Sequence, residues 1–126
     1  MYIAPDRPDA ASLYGRIELA GRVENADPHA LVMLLFDELE VAMLRVRRAV
    51  EQGRVATALP RAMDIVQALR MSIDHQRGGD LAASLSAVYE EALAHLVLGA
   101  QRRSAKRIAH AQAMIRDIAD AWRQIG

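Results

Sequence analysis

Histidines and acidic residues are the side chains here with the means to do chemistry, and their spacing argues against it. There are four histidines, His29, His75, His95 and His110. None belongs to H-E-x-x-H or E-x-x-H, and none lies three or four residues from another, so no two imidazoles share a helical turn as metal ligands. A bundle can still bring His95 and His110 together in space, but partly exposed helix histidines are the plainer reading. The acids cluster in "DELE" (Asp37, Glu38, Glu40) and "YEE" (Glu90, Glu91). Di-iron bundles need inward glutamates with Glu-x-x-His pairs, and no such pair exists here. These acids are expected to face solvent or to pair with Arg45, Arg47 and Arg48. "RGGD" lacks the Lys-Ser/Thr and the preceding strand of a phosphate loop, and no serine sits in G-x-S-x-G. Cysteine is absent, which removes thiol nucleophiles, Cys-ligated zinc and disulfides.

The charge balance excludes further classes. Lys+Arg and Asp+Glu are both 16, so no global basic excess recruits nucleic acid. "RVRR" (Arg45–Arg48) and "QRRSAKR", with Arg102, Arg103, Lys106 and Arg107, are basic clusters. Aromatics make up only 4% and do not interleave with them, so no stacking platform is present. Solvated helix faces are expected. We therefore expect no enzyme, metal, cofactor or nucleic acid.

Four helices must position whatever site exists. The length of 126 residues fits one domain able to bury a core. Residues 1–12, with two prolines, read as a tail, and residues 13–24 have weak helical spacing through Leu13, Ile17 and Ala20. At "ADPH", Asp27 suits the N-cap and Pro28 the first helical position. The seam is Val32, Leu35, Leu39, Ala42, Val46 and Ala49, closed by Gly53. A second helix is expected over Val55–Gln76, with Pro60 in its first turn. After the break at "RGGD", Asp80 can cap a third helix along Leu81, Leu85, Val88, Ala92 and Leu96, widened by Tyr89, Leu93 and Val97. Ser104 can cap a fourth along Ile108, Ala111, Ile115, Ile118, Trp122 and Ile125. No stretch alternates with the period of a strand. The expected fold is all-α: an antiparallel four-helix bundle over residues 25–126, preceded by a mobile or short-helical segment over residues 1–24.

The start "MYIAPDRPDAAS" lacks a secretory h-region, and no apolar run approaches the roughly 20 residues of a membrane span. We expect a cytoplasmic protein with no membrane partner.

What stands out is surplus apolar surface. "LVMLLFDELE" opens with six apolar residues, Leu31 to Phe36, which point to every side of a helix. With the seam subtracted, Leu31, Met33, Leu34, Phe36, Val41 and Met43 remain. A central bundle helix uses a face wider than its seam and absorbs much of this. The rest needs a cover: the chain's own residues 1–24, a second subunit, or a partner helix in a groove.

These residues resemble a known family. "ADPHALVMLLFDELEVAM" is similar to the first-helix pattern of the flagellin export chaperones, the FliS family, through Pro28, Leu31, Val32, Leu34, Leu35, Phe36 and Asp37. "RAMDIVQALRMSID" is similar to the second-helix pattern, "GGDLAASLSAVYEEAL" to the third and "ADAWRQI" to the end of the fourth. Phe36 replaces the usual tyrosine, Glu38 a glycine, Ser84 and Ala100 frequent asparagines, and Glu91 the second aromatic of Tyr-Asp-Tyr. The resemblance implies a non-enzymatic cytosolic chaperone. It would bind the C-terminal segment of flagellin, prevent premature polymerisation and deliver it to the flagellar type III apparatus. An export gate and an anti-sigma factor stay open as further partners. Surplus surface and resemblance together assign Leu31, Leu34 and Phe36, with Val41 and Met43, to the flagellin-binding groove. They assign Tyr14 and Ile17 to a tail that shields it. The alternative is a homodimeric structural or regulatory bundle. A metal or cofactor bundle enzyme is a third and weaker reading. Monomer and homodimer both remain open.

Overall fold

The structure, a computed structural model, describes residues 27–125, and these contain four helices and no strand. They are α1 (Pro28–Glu51), α2 (Leu59–Met71), α3 (His75–Gln101) and α4 (Ala105–Ile125). Asp27 caps α1, its Oδ1 accepting from the Ala30 N–H at 2.7 Å, and Pro28 follows where a missing N–H costs nothing. Gly53, at φ +68°, ends α1 in the left-handed conformation, with the Arg54 N–H reaching back to the Ala49 carbonyl at 2.8 Å.

α2 is shorter than the expected Val55–Gln76. Pro60 does sit in its first turn, so the chain before Leu59 forms a loop rather than helix. α3 begins earlier than expected. Asp74, not Asp80, caps its start, its Oδ1 accepting from the N–H groups of Gln76 and Arg77. "RGGD" is a kink rather than a gap: Gly79, at φ 52° and ψ −126°, interrupts the helical backbone within α3. Ser104 caps α4 as expected, accepting from the Arg107 N–H at 3.2 Å.

Neighbouring helices pack in a ring, α1 on α2, α2 on α3, α3 on α4 and α4 on α1, with α1 and α3 meeting weakly across the middle. His29 meets Trp122 while Arg47 meets Gln112, so α1 and α4 run antiparallel. The fold is all-α. Its core joins Leu35, Phe36, Leu39, Met43 and Val46 of α1 to Ile65, Val66 and Leu69 of α2. Tyr89 and Leu96 of α3 and Ile108 and Ile115 of α4 complete it. The fourth seam holds through Trp122, whereas Ile125 is 72% exposed. α3 is long and apolar enough, by length and composition, to cross a membrane. In the bundle it buries Ala82, Tyr89, Ala92, Leu96 and Gly99.

Most of the acids pair with bases on other helices, not with Arg45, Arg47 and Arg48 as expected. Glu38 pairs with Arg61, Glu90 with Arg70 at 3.0 Å, and Glu40 with Arg116 and Arg123 at 3.8 and 3.3 Å. Along α1 the bases stand five to eleven residues beyond these acids, outside the three- or four-residue spacing that lets side chains meet, whereas the ring of helices supplies partners across each groove.

Candidate apolar docking site

α1 packs on both of its neighbours in the ring and touches α3 across the middle, and this absorbs much of its surplus apolar surface. Phe36 and Met43 have no exposed surface and belong to the core, which corrects their placement in an open groove. They lie seven residues apart on a flank that the neighbouring helices cover. Leu34 and Val41 form the opposite flank and remain 38% and 49% exposed. Leu31 is half-buried. Tyr14 and Ile17 lie outside the described residues.

Leu31 leads to the site itself. One end of the bundle, where α1 and α3 begin and α2 and α4 finish, holds an open cleft of about 480 Å3. Pro28, Leu31 and Val32 form the α1 side, with Leu69 and Ile73 from α2 and the segment after it. Leu81, Ala82, Leu85 and Tyr89 form the α3 wall, and Ile118 and Trp122 the α4 wall. Volume and lining match the general form of binding pockets, about 300–1,000 Å3 and mainly apolar.

Local chemistry fixes the walls. The indole Nε1–H of Trp122 donates to the His29 carbonyl at 3.3 Å, and His29 Nε2 lies 2.7 Å from the Trp122 carbonyl. Their rings stack at 5.1 Å, 7° from parallel. This reciprocal clasp ties the start of α1 to the end of α4. Arg123, next along, ties the same ends by charge, reaching Asp37 at 3.5 Å and Glu40 at 3.3 Å. Its guanidinium is held above its ordinary pKa, first by the hydrogen bond to Glu40 and then by the surrounding carboxylates. Across the cleft, the Gly79 kink sets the direction of the turn that carries Leu81. Leu81 is 77% exposed, so the wall it builds is unfilled.

The cleft carries few polar side chains. Its lining residues with polar side-chain groups include Ser72, Asp74, Arg77 and Tyr89. The Ser72 hydroxyl donates to the Leu69 carbonyl at 2.7 Å. Asp74 is occupied by the helix cap and by Arg77 at 3.6 Å. No nucleophile with an adjacent base appears among these groups. Away from the cleft, His95 and His110 do meet across α3 and α4, with ring centroids 4.5 Å apart and Glu91 beside them.

Sequence reasoning missed the cleft residues Ile73, Leu81, Leu85, Tyr89, Ile118 and Trp122. Leu81, Leu85, Tyr89, Ile118 and Trp122 were visible on the apolar faces of the third and fourth helices, but such faces are expected to be covered. Only the kink at Gly79 and the ends of four helices show that these are not fully covered.

Residues 10–126 match the family model described as "Flagellar protein FliS". The chain belongs to the FliS family. It is 33% identical over 116 residues to the flagellar secretion chaperone FliS of Salmonella typhimurium, covering 89% of this chain and 86% of that protein. It is 26% identical over 116 residues to the flagellar secretion chaperone FliSB of Pseudomonas aeruginosa, covering 90% and 92%. Identity to the Escherichia coli flagellar secretion chaperone FliS is 28%, covering 88% and 85%. Family membership supports a chaperone role in flagellar export, and the named relatives are chaperones rather than enzymes.

Proposed function

We propose that the chain is a cytosolic export chaperone. It binds the C-terminal segment of flagellin, keeps it from polymerising and hands it to the flagellar type III secretion apparatus. The observation that carries this reading is the open apolar cleft flanked by Leu31 and Leu81, with the exposed Leu34 and Val41 on the outer face of the same α1. A segment built to assemble with copies of itself presents apolar helical stripes, and a cleft of this kind hides them. The ends of four helices supply a bowl for apolar side chains, while Leu34 and Val41 extend the contact along α1.

Residues 1–24 act in this proposal as a tail separate from the bundle over 25–126. The chain before α1 joins at Pro28, which itself lines the cleft. Tyr14 precedes Pro28 by 14 residues, an extended reach of up to about 50 Å, more than the approach requires. Tyr14 and Ile17 cover the cleft until flagellin displaces them.

Isothermal titration with a C-terminal flagellin fragment tests this. Wild type should bind at one site per chain, deletion of residues 1–24 should tighten binding, and Leu31→Glu with Leu81→Glu should abolish it. Equal binding by the double variant, with helicity unchanged, removes the cleft from the reading. Light scattering that shows a stable dimer indifferent to the fragment favours the homodimeric bundle instead.

A further inference from the structure

We propose that Glu91, His95 and His110 form a binding site for a borderline divalent transition-metal ion such as Zn2+. Glu91 and His95 are four residues apart on α3 and so share a face, with Glu91 Oε2 3.8 Å from His95 Nε2. His110 comes from α4, its ring 4.5 Å from that of His95 and tilted by 44°. One ligand atom from each residue can be chosen so that all lie within 4.8 Å of one another.

The donor chemistry selects the ion. Two imidazoles and one carboxylate suit Zn2+, Ni2+ or Cu2+, whereas Mg2+ and Ca2+ want oxygen alone. Two histidines and a glutamate also form a known three-ligand zinc set whose fourth position is left to water. Tetrahedral bonds of about 2.0–2.2 Å place ligands roughly 3.3–3.6 Å apart, so the group must contract by little more than 1 Å. Glu91 and His110 are exposed and can swing to do so while the helices stay in place. His95 is the fixed member. Its side chain is only 22% exposed, and its Nδ1 is buried with no hydrogen-bond partner.

The site is distinct from the cleft. Tyr89, which lines the cleft, precedes His95 by six residues, about 9 Å along α3. With two ligands on α3 and one on α4, the ion would clip the two helices together. The unfolded chain scatters these ligands, so binding must stabilise the fold.

The test uses untagged full-length protein freed of metal with a chelator and titrated with ZnCl2 in a calorimeter. One Zn2+ per chain is expected, with a higher thermal midpoint. MgCl2 should produce neither effect. His110→Ala and Glu91→Gln, both at exposed positions, should keep the metal-free midpoint. Each should weaken Zn2+ binding by at least about tenfold, because even the supporting partners of a ligand are worth that much. His75→Ala should bind as wild type. Absence of saturable binding overturns the site. So does wild-type affinity in both His110→Ala and Glu91→Gln, which would place the ion on other residues.

Discussion

Leu81→Ala separates binding from folding more cleanly than any other change in the cleft. Leu81 is 77% exposed, so it contributes little to the free bundle and has most of its apolar surface left to bury when the cleft is filled. Truncation removes three carbons, and about 0.8 kcal/mol for each buried carbon gives about 2.4 kcal/mol. Scaling by the 77% still exposed leaves about 1.8 kcal/mol, or about 20-fold in Kd. Stability should move by no more than about 0.5 kcal/mol, since a surface substitution leaves neither a cavity nor an orphaned polar group. The assay pairs calorimetric titration of the C-terminal flagellin fragment with urea unfolding of the same preparation. Val55→Ala is the matched control: Val55 is 81% exposed but lies outside the cleft, and its variant should bind as wild type. A Kd for Leu81→Ala within twofold of wild type, or an equal loss in Val55→Ala, would refute the assignment of the cleft as the flagellin site.

Other expectations concern the frame that holds the cleft. Phe36→Ala should cost about 3–5 kcal/mol in urea unfolding, because Phe36 has no exposed surface; a cost under 1 kcal/mol would return it to the groove. Gly99→Ala should lower the thermal midpoint. Its Cβ would stand 2.5 Å from Ile108 Cδ1 and 3.1 Å from the Ile108 backbone N, an overpacking of about 1–3 kcal/mol. Replacing a helical glycine offsets about 1 kcal/mol of that, so a raised midpoint would contradict the close approach of α3 and α4. Arg103→Gly should stabilise by about 0.5–1 kcal/mol, since Arg103 holds φ 54° in the turn between α3 and α4, where a side chain is unfavourable. Asp74→Ala removes the cap of α3 beside the cleft and should cost about 0.5–2 kcal/mol by the same unfolding measurement.

The starts of α1 and α4 were legible because a single residue offered each cap. Asp27, Ser104 and the first-turn Pro60 are local devices, and each sits where its chemistry requires. The start of α3 was misplaced because "DHQRGGD" offers two aspartates, and the sequence does not say which one caps. Asp74 caps the first turns by accepting from two N–H groups, and the non-helical Gly79 joins that short stretch to the longer one after it. Among the groove candidates, Leu31, Leu34, Phe36, Val41 and Met43 are alike in residue type. What divides them is the neighbour each meets: Phe36 and Met43 face the core, Leu31 the cleft, Leu34 and Val41 solvent.

The sequence by itself determined the helices, their seams and the likeness to the FliS family, because a helix's hydrogen bonds, caps and apolar stripe all lie within a few residues of one another. Only the tertiary structure decided which apolar residues are core and which remain open. That depends on partners far along the chain, such as the Trp122 that clasps His29 from 93 positions away. The meeting of Glu91 and His95 with His110 is of the same kind. The first two share a face through the helix repeat, and the third arrives only when α4 packs back along α3.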